Sequence, residues 1–153
     1  MFVDFRKAFD SVNNQLLLKK LPWYGIKNHA LRWFKNYLTS RCQSVVYGSA
    51  QSAPQQIKSG VPQESILGPI LFSIYINDLP NCLLQSKILL YADDAVLFYA
   101  DSNIGNIRTV LNKDLKQLQS WTCLNKLCIC EDRMCPFRHS ATNRFGYPFR
   151  WAI

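Results

Sequence analysis

The chain opens on a short strand pattern. Phe2, Val3, Asp4 and Phe5 read as a short strand with one carboxylate set among apolar side chains. Leu16, Leu17, Leu18 and Leu21 then predict a helix over residues 15–21, stopped by Pro22. Apolar residues at 31, 34, 37 and 38 have one-face spacing and predict a second helix over residues 29–41. The pattern turns β-like over residues 44–58, where Val45, Val46 and Tyr47 precede a turn at Gly48 and Ser49. Residues 59–62 form a loop. Pro69 suits the first turn of a helix over residues 70–79, which Pro80 ends. Residues 88–91 and 95–99 read as two strands around Asp93 and Asp94. Ser102 is the expected cap of a last long helix carrying Ile104, Ile107, Leu111, Leu115 and Leu118 on one face. From about Cys128 no period is sustained, so the chain divides into a periodic part, residues 1–127, and a Cys- and Arg-rich tail, residues 128–153, expected to pack poorly. There is no internal repeat.

Composition narrows the class. With 48% hydrophobic and 18% charged residues, the chain is globular rather than disordered. It has no apolar run of about 18 residues or more, so no membrane span is expected. MFVDF, with an acid at its fourth position, does not resemble a secretory signal. The net charge of +8 favours polyanionic partners such as nucleic acid. Six cysteines without an export signal read as reduced thiols. Cys128, Cys130, Cys135 and His139 are potential zinc ligands, but their spacing is not a common structural zinc pattern.

Three places carry candidate chemistry. Asp4 is a charge within an apolar strand, where a carboxylate points to a site or out of an edge. Asp93 and Asp94 are adjacent carboxylates between two apolar runs, at an expected hairpin tip. Carboxylates packed together repel, and divalent cations relieve that repulsion. Mg²⁺ favours a few carboxylates with water and substrate phosphates, and two such ions about 4 Å apart activate a hydroxyl and stabilise a leaving group. An Asp-Asp pair is also ordinary turn chemistry. The third place is the loop Gly60-Val61-Pro62-Gln63-Glu64-Ser65, followed by Gly68-Pro69. It opens into a helix start whose backbone donors suit phosphate or sugar groups, and it reads equally as a plain loop-to-helix junction.

The strings FVDFRKAFDSVN, SGVPQESILGPILFSIYINDL and YADDAVLF, in this order and spacing, resemble the reverse transcriptases of non-LTR retrotransposons. The resemblance covers roughly residues 1–127. It implies an α+β polymerase palm, an antiparallel ferredoxin-like sheet with helices packed on one face. It further implies an RNA-directed DNA polymerase with an RNA template, a DNA primer and dNTP as partners, working with two Mg²⁺ ions or with Mn²⁺ in their place. Asp4 matches the family's first metal-binding aspartate, Asp93 the catalytic aspartate, and Asp94 its neighbour. Phe9 matches the aromatic under the incoming sugar, which favours dNTP over rNTP; as a residue it also reads as a core phenylalanine. Gly60, Pro62 and Gln63 match the loop lining the nucleotide and template side. Asp10 and Asp78 read as structural turn or helix-end acids. A nuclear location is expected from the family, although no basic targeting cluster is evident.

Departures from the pattern open a second reading. The family loop reads GVPQGS, and here Glu64 replaces the second glycine, removing backbone freedom and adding a negative charge. The sequence begins on the first catalytic strand, so fingers and thumb segments are expected to come from elsewhere. The Cys-rich tail stands where the family continues with a strand and a lysine-containing loop. The alternative is therefore a catalytically inactive retrotransposon-derived fragment that binds nucleic acid weakly. A metal-dependent nuclease would want further acids or a histidine. Phe2, Phe5, Trp33, Phe34 and the helix over residues 70–76 are expected to leave apolar surface uncovered.

Overall fold

The computed structural model describes residues 1–130, and the chain forms two compact units. It is a mixed α+β protein with small antiparallel sheets. One unit joins Met1–Arg6 to the chain from Asp78 onward. Its sheet has three strands, β1 (Phe2–Asp4), β7 (Asp94–Phe98) and β6 (Lys87–Tyr91), in the order β1-β7-β6. Both pairings are antiparallel. Period two sorts the faces: Val3, Ala95 and Leu97 are buried, whereas Phe2, Leu89, Tyr91 and Phe98 stand exposed on the other side. Leu79, Leu118, Trp121 and Leu127 are buried in the same unit.

The long helix α5 (Ile104–Leu124) is capped by Asn103, not Ser102. The helix begins one residue later than a Ser102 cap requires, so the Asn103 side chain accepts the Gly105 N–H at 2.8 Å. Its apolar face also departs from expectation at the start, where Ile104 is exposed. After α5, Lys126 adopts a left-handed conformation (φ 54) and turns the chain back. Residues 128–130 then run along the outer edge of β1: Phe5 bridges Ile129, the Arg6 N–H donates to the Cys128 carbonyl (2.8 Å), and the Cys130 N–H donates to the Asp4 carbonyl (2.9 Å). Cys135 and His139 lie outside the described residues. Among those described, Cys123, Cys128 and Cys130 are free thiols, and no helix is long and apolar enough to cross a membrane.

The other unit is Lys7–Asn77. A short α1 (Ala8–Ser11) precedes α2 (Asn14–Lys20), which Asn13 caps through the Leu16 N–H at 3.0 Å. Pro22 does not end the helical path outright; a 3₁₀ turn, Leu21–Tyr24, carries it on until Gly25 at φ 84. The next helix, α3, spans Asn28–Thr39. Four two-residue strands follow: β2 (Cys42–Gln43) pairs with β5 (Gln55–Gln56), and β3 (Val46–Tyr47) pairs with β4 (Ala50–Gln51) around the expected turn at Gly48 and Ser49. Helix α4 is Leu67–Ile76, earlier at both ends than its sequence suggests. Pro69 is its third residue, where no N–H is needed. Pro80 acts upstream: its ring excludes a helical carbonyl four residues back, at Ile76, where α4 stops. Leu79–Cys82 forms a separate 3₁₀ turn. The expected uncovered apolar groups divide: Phe2, Trp33 and Ile70 are exposed, whereas Phe5, Leu71, Phe72, Tyr75 and Ile76 are buried.

One buried acid fixes the entry to the hairpin. The Asp114 carboxylate, on α5, is fully buried and accepts the backbone N–H groups of Leu84 (2.8 Å), Gln85 (3.1 Å) and Ser86 (2.6 Å), together with the Ser86 hydroxyl. Burial pushes its pKa up, but the Ser86 hydroxyl and then the three backbone donors outweigh burial and hold it below the ordinary carboxylate value. The stabilisation is present above the unfolded pKa, about 3.9, and is lost as pH falls through the lower folded value. Asp114→Ala removes the acceptor of three backbone N–H groups and the Ser86 hydroxyl and is expected to cost roughly 3 kcal/mol or more, read by urea denaturation at neutral pH. Asp114→Asn should flatten the acid limb of the stability curve below about pH 4; an acid limb matching the unsubstituted chain would contradict this account.

Candidate active site

The sheet brings two of the three predicted carboxylates together. Asp4 ends β1 and Asp94 begins β7, and the two are direct cross-strand partners. Met1 and Leu97 exchange both backbone bonds, at 2.7 and 2.8 Å. Bonded and non-bonded pairs alternate along an antiparallel ladder. Three steps along from Met1–Leu97, Asp4–Asp94 is therefore a non-bonded pair, the kind in which side chains stand closest. The Asp4 carbonyl, bonded to the Cys130 N–H on the opposite edge, fits that assignment. Directly opposite residues share a face, so both carboxylates rise from the open side of the sheet, in one row with Tyr91, which also pairs with Asp94 and is 83% exposed.

Asp93 is placed differently. The hairpin turn consists of Ala92 and Asp93, not Asp93 and Asp94, because Tyr91 pairs with Asp94. Ala92 takes the left-handed conformation (φ 52) that a two-residue hairpin loop demands. Among the described residues no three His, Cys, Asp or Glu side chains form a group able to hold a metal, so the expected trio is not assembled. Two facing carboxylates remain, a donor set that suits Mg²⁺ completed by water and substrate oxygens. Like charges directly opposite each other on a sheet repel.

The other predicted residues lie in the second unit, where the loop from Gly60 is stitched onto α1. The Gly60 N–H donates to the Val12 carbonyl (2.7 Å) and the Val61 N–H to the Phe9 carbonyl (2.9 Å). Arg41 Nη2 donates to the Gly60 carbonyl (2.6 Å), and Gln63 Nε2 donates to Asp10 Oδ1 (2.7 Å). Gly60 is required twice over: its φ is 85°, and a Cβ there would lie 2.9 Å from the Asp10 Cα. Ser65 Oγ donates to the Pro62 carbonyl (2.7 Å) and accepts the Gly68 N–H (2.9 Å), and any Cβ at Gly68 would strike that Pro62 carbonyl. Phe9 is half-buried, its ring 4.7 Å from that of Phe72. Asp10 thus holds Gln63, in keeping with the structural role expected of it.

Glu64 carries strain. Its φ is 56°, in the left-handed region where the family motif has glycine. Arg41 was missed in the sequence, as it lies in no recognised motif. Its position beyond the end of α3 was the available signal.

Residues 1–143 match the family described as reverse transcriptase (RNA-dependent DNA polymerase), and the chain belongs to that family. The more specific kinship is with mobile elements. The chain is 33% identical over 134 residues to the "Probable RNA-directed DNA polymerase from transposon BS" of Drosophila melanogaster, an alignment covering 79% of this chain and 14% of that protein. It is 35% identical over 107 residues to the "Probable RNA-directed DNA polymerase from transposon X-element" of the same species, covering 66% and 11%. It is 32% identical over 127 residues to the "RNA-directed DNA polymerase from mobile element jockey" of Drosophila funebris, covering 78% and 14%. The resemblance to non-LTR retrotransposon enzymes is thereby borne out, and the chain spans a small part of the length of these relatives.

Two stability measurements probe this geometry. In chelator, Asp94→Asn should be more stable than the unsubstituted chain by about 0.2–1 kcal/mol, and added Mg²⁺ should close the gap by stabilising only the chain with both carboxylates. Equal stability in chelator would mean that the facing charges do not repel. Glu64→Gly should relieve about 1 kcal/mol of backbone strain, seen in a thermal melt as a rise of about 2–4 °C.

Proposed function

We propose that this chain carries the palm of an RNA-directed DNA polymerase of a non-LTR retrotransposon, which joins a dNTP to a primer 3′-hydroxyl on an RNA template. The observation that supports it most is the register of Asp4 against Asp94 on the open sheet face. Asp4 and Asp94 would hold a divalent ion between them, and Asp93, which stands outside that pair in the adjoining turn, would join as a third ligand only on metal binding. Two bound Mg²⁺ ions, or Mn²⁺, would supply charge neutralisation at the attacking hydroxyl and the leaving pyrophosphate. The protein's own share is positioning, since phosphoryl transfer of this kind needs no covalent enzyme intermediate. Phe9, whose ring packs on Phe72, is assigned by the family resemblance to the position under the sugar, where a 2′-hydroxyl would be excluded. Gly60, Pro62 and Gln63 line the nucleotide and template side on a loop anchored to α1. The net charge of +8 holds the template–primer backbone with an affinity that falls with salt.

One observation favours the alternative, an inactive fragment with weak nucleic-acid binding. Glu64 sets a strained backbone and a carboxylate in the loop assigned to the nucleotide. Primer extension on poly(A)/oligo(dT) with Mg²⁺ and dNTP separates the two. On the polymerase reading, extension by the soluble chain is lost by at least about a hundredfold in Asp94→Asn. If folded protein gives none, and Glu64→Gly gives none either, the polymerase reading of this chain fails. Rescue by Glu64→Gly alone would identify the loop carboxylate as the block.

A further inference from the structure

From residue 11 to residue 63 the sequence contains seven Lys and Arg and no Asp or Glu, so nearly the whole net charge of +8 resides in this stretch. It builds most of the Lys7–Asn77 unit. Within it, α3 buries only Leu38, and Leu31 and Phe34 on the same side are half-buried. A 3.6-residue period puts His29, Arg32, Trp33 and Asn36 on the opposite side, and all four are exposed. Trp33 is 52% exposed yet not loose. Its ring lies nearly parallel to that of Tyr37, at 5.1 Å and 11°, and meets Phe34 edge-on at 5.0 Å and 87°. The indole is thus oriented before any partner arrives, which lowers the ordering cost of binding. Trp23, on the preceding 3₁₀ turn, is 91% exposed.

We infer that the outer face of α3 is a docking site for single-stranded nucleic acid, in which an unpaired base stacks on Trp33 and Arg32 engages the adjoining phosphate. Charge complementarity selects this occupant. A surface with no acid over 53 residues suits a polyanion and offers nothing to another basic surface such as a second copy of the chain. Exposed aromatics among the basic residues select single strands over duplex, because only unpaired bases present a stacking face. The ring-on-ring support from Tyr37 distinguishes Trp33 from an apolar residue that is merely uncovered. The site uses neither the carboxylates nor the loop at Gly60.

The test is fluorescence anisotropy with labelled oligo(U) and oligo(dT), using the full chain bearing Asp94→Asn, without Mg²⁺ or dNTP. Binding then stands or falls independently of polymerisation. Trp33→Ala is expected to weaken binding by about tenfold or more, and Trp33→Phe by much less. Arg32→Gln should lower the slope of log affinity against log salt by about 0.7, one contact on a single strand. Circular dichroism and sedimentation of each variant control for folding and self-association. Unchanged affinity in folded Trp33→Ala would overturn the site. So would equal binding of a blunt duplex, or a Trp33→Ala effect that appears only as lost self-association.

Discussion

A carboxylate with no access to water sets the position of two that have it. Asp114 gathers three consecutive backbone donors just before β6, so the strand leaves its loop at one defined residue. Everything downstream is a matter of register. β6 pairs with β7 from Lys87 against Phe98 to Tyr91 against Asp94, and β7 in turn pairs with β1. A slip of a single residue would send Asp94 to the apolar side of the sheet and bring Ala95 out. The interior anion is costly to bury and is satisfied by four donors, whereas the exterior pair stands on the open face of the sheet.

Three of the five non-glycine residues with left-handed backbone among the described residues, Lys7, Glu64 and Ala92, lie one within each of the three family strings; Asn28 and Lys126 lie outside them. Each is a conformation that glycine would take at lower cost. At Ala92 the two-residue turn explains it, and at Glu64 the loop keeps the shape of a glycine motif after the glycine has gone. Conformations of this kind concentrate where a chain is shaped for binding rather than for stability.

Much of this was legible in the residues. Two apolar runs around an Asp-Asp pair revealed both hairpin strands, and the word order of three motifs identified the family. The turn sits one residue earlier than two adjacent carboxylates between apolar runs suggest, on Ala92 and Asp93. Asp94 belongs to the strand because the face it occupies is open. Asp114 went unnoticed although its spacing was informative, for it lies three residues after Leu111 and four before Leu118, on the core side of α5. An acid there has to be met by donors, and the donors come from a loop about thirty residues away. Helix ends failed for local reasons: a cap shifts by one position, and a proline terminates a helix four residues ahead of itself. Strands of two residues, such as β2 and β5, are too short to show any period.

The segment at residues 128–130 leaves β1 with neighbours along both edges. β1 is held by its ladder to β7 on one edge, and on the other the Asp4 carbonyl accepts the Cys130 N–H, so the interval between the Asp4 and Asp94 backbones is fixed by the ladder itself and owes little to how side chains fill the interior. Sequence drift among Val3, Ala95 and Leu97 can change how tightly that interior is filled while leaving the interval unaltered. The ligand spacing behaves as a ruler cut into the backbone, which mutation can loosen in its setting but cannot easily recalibrate.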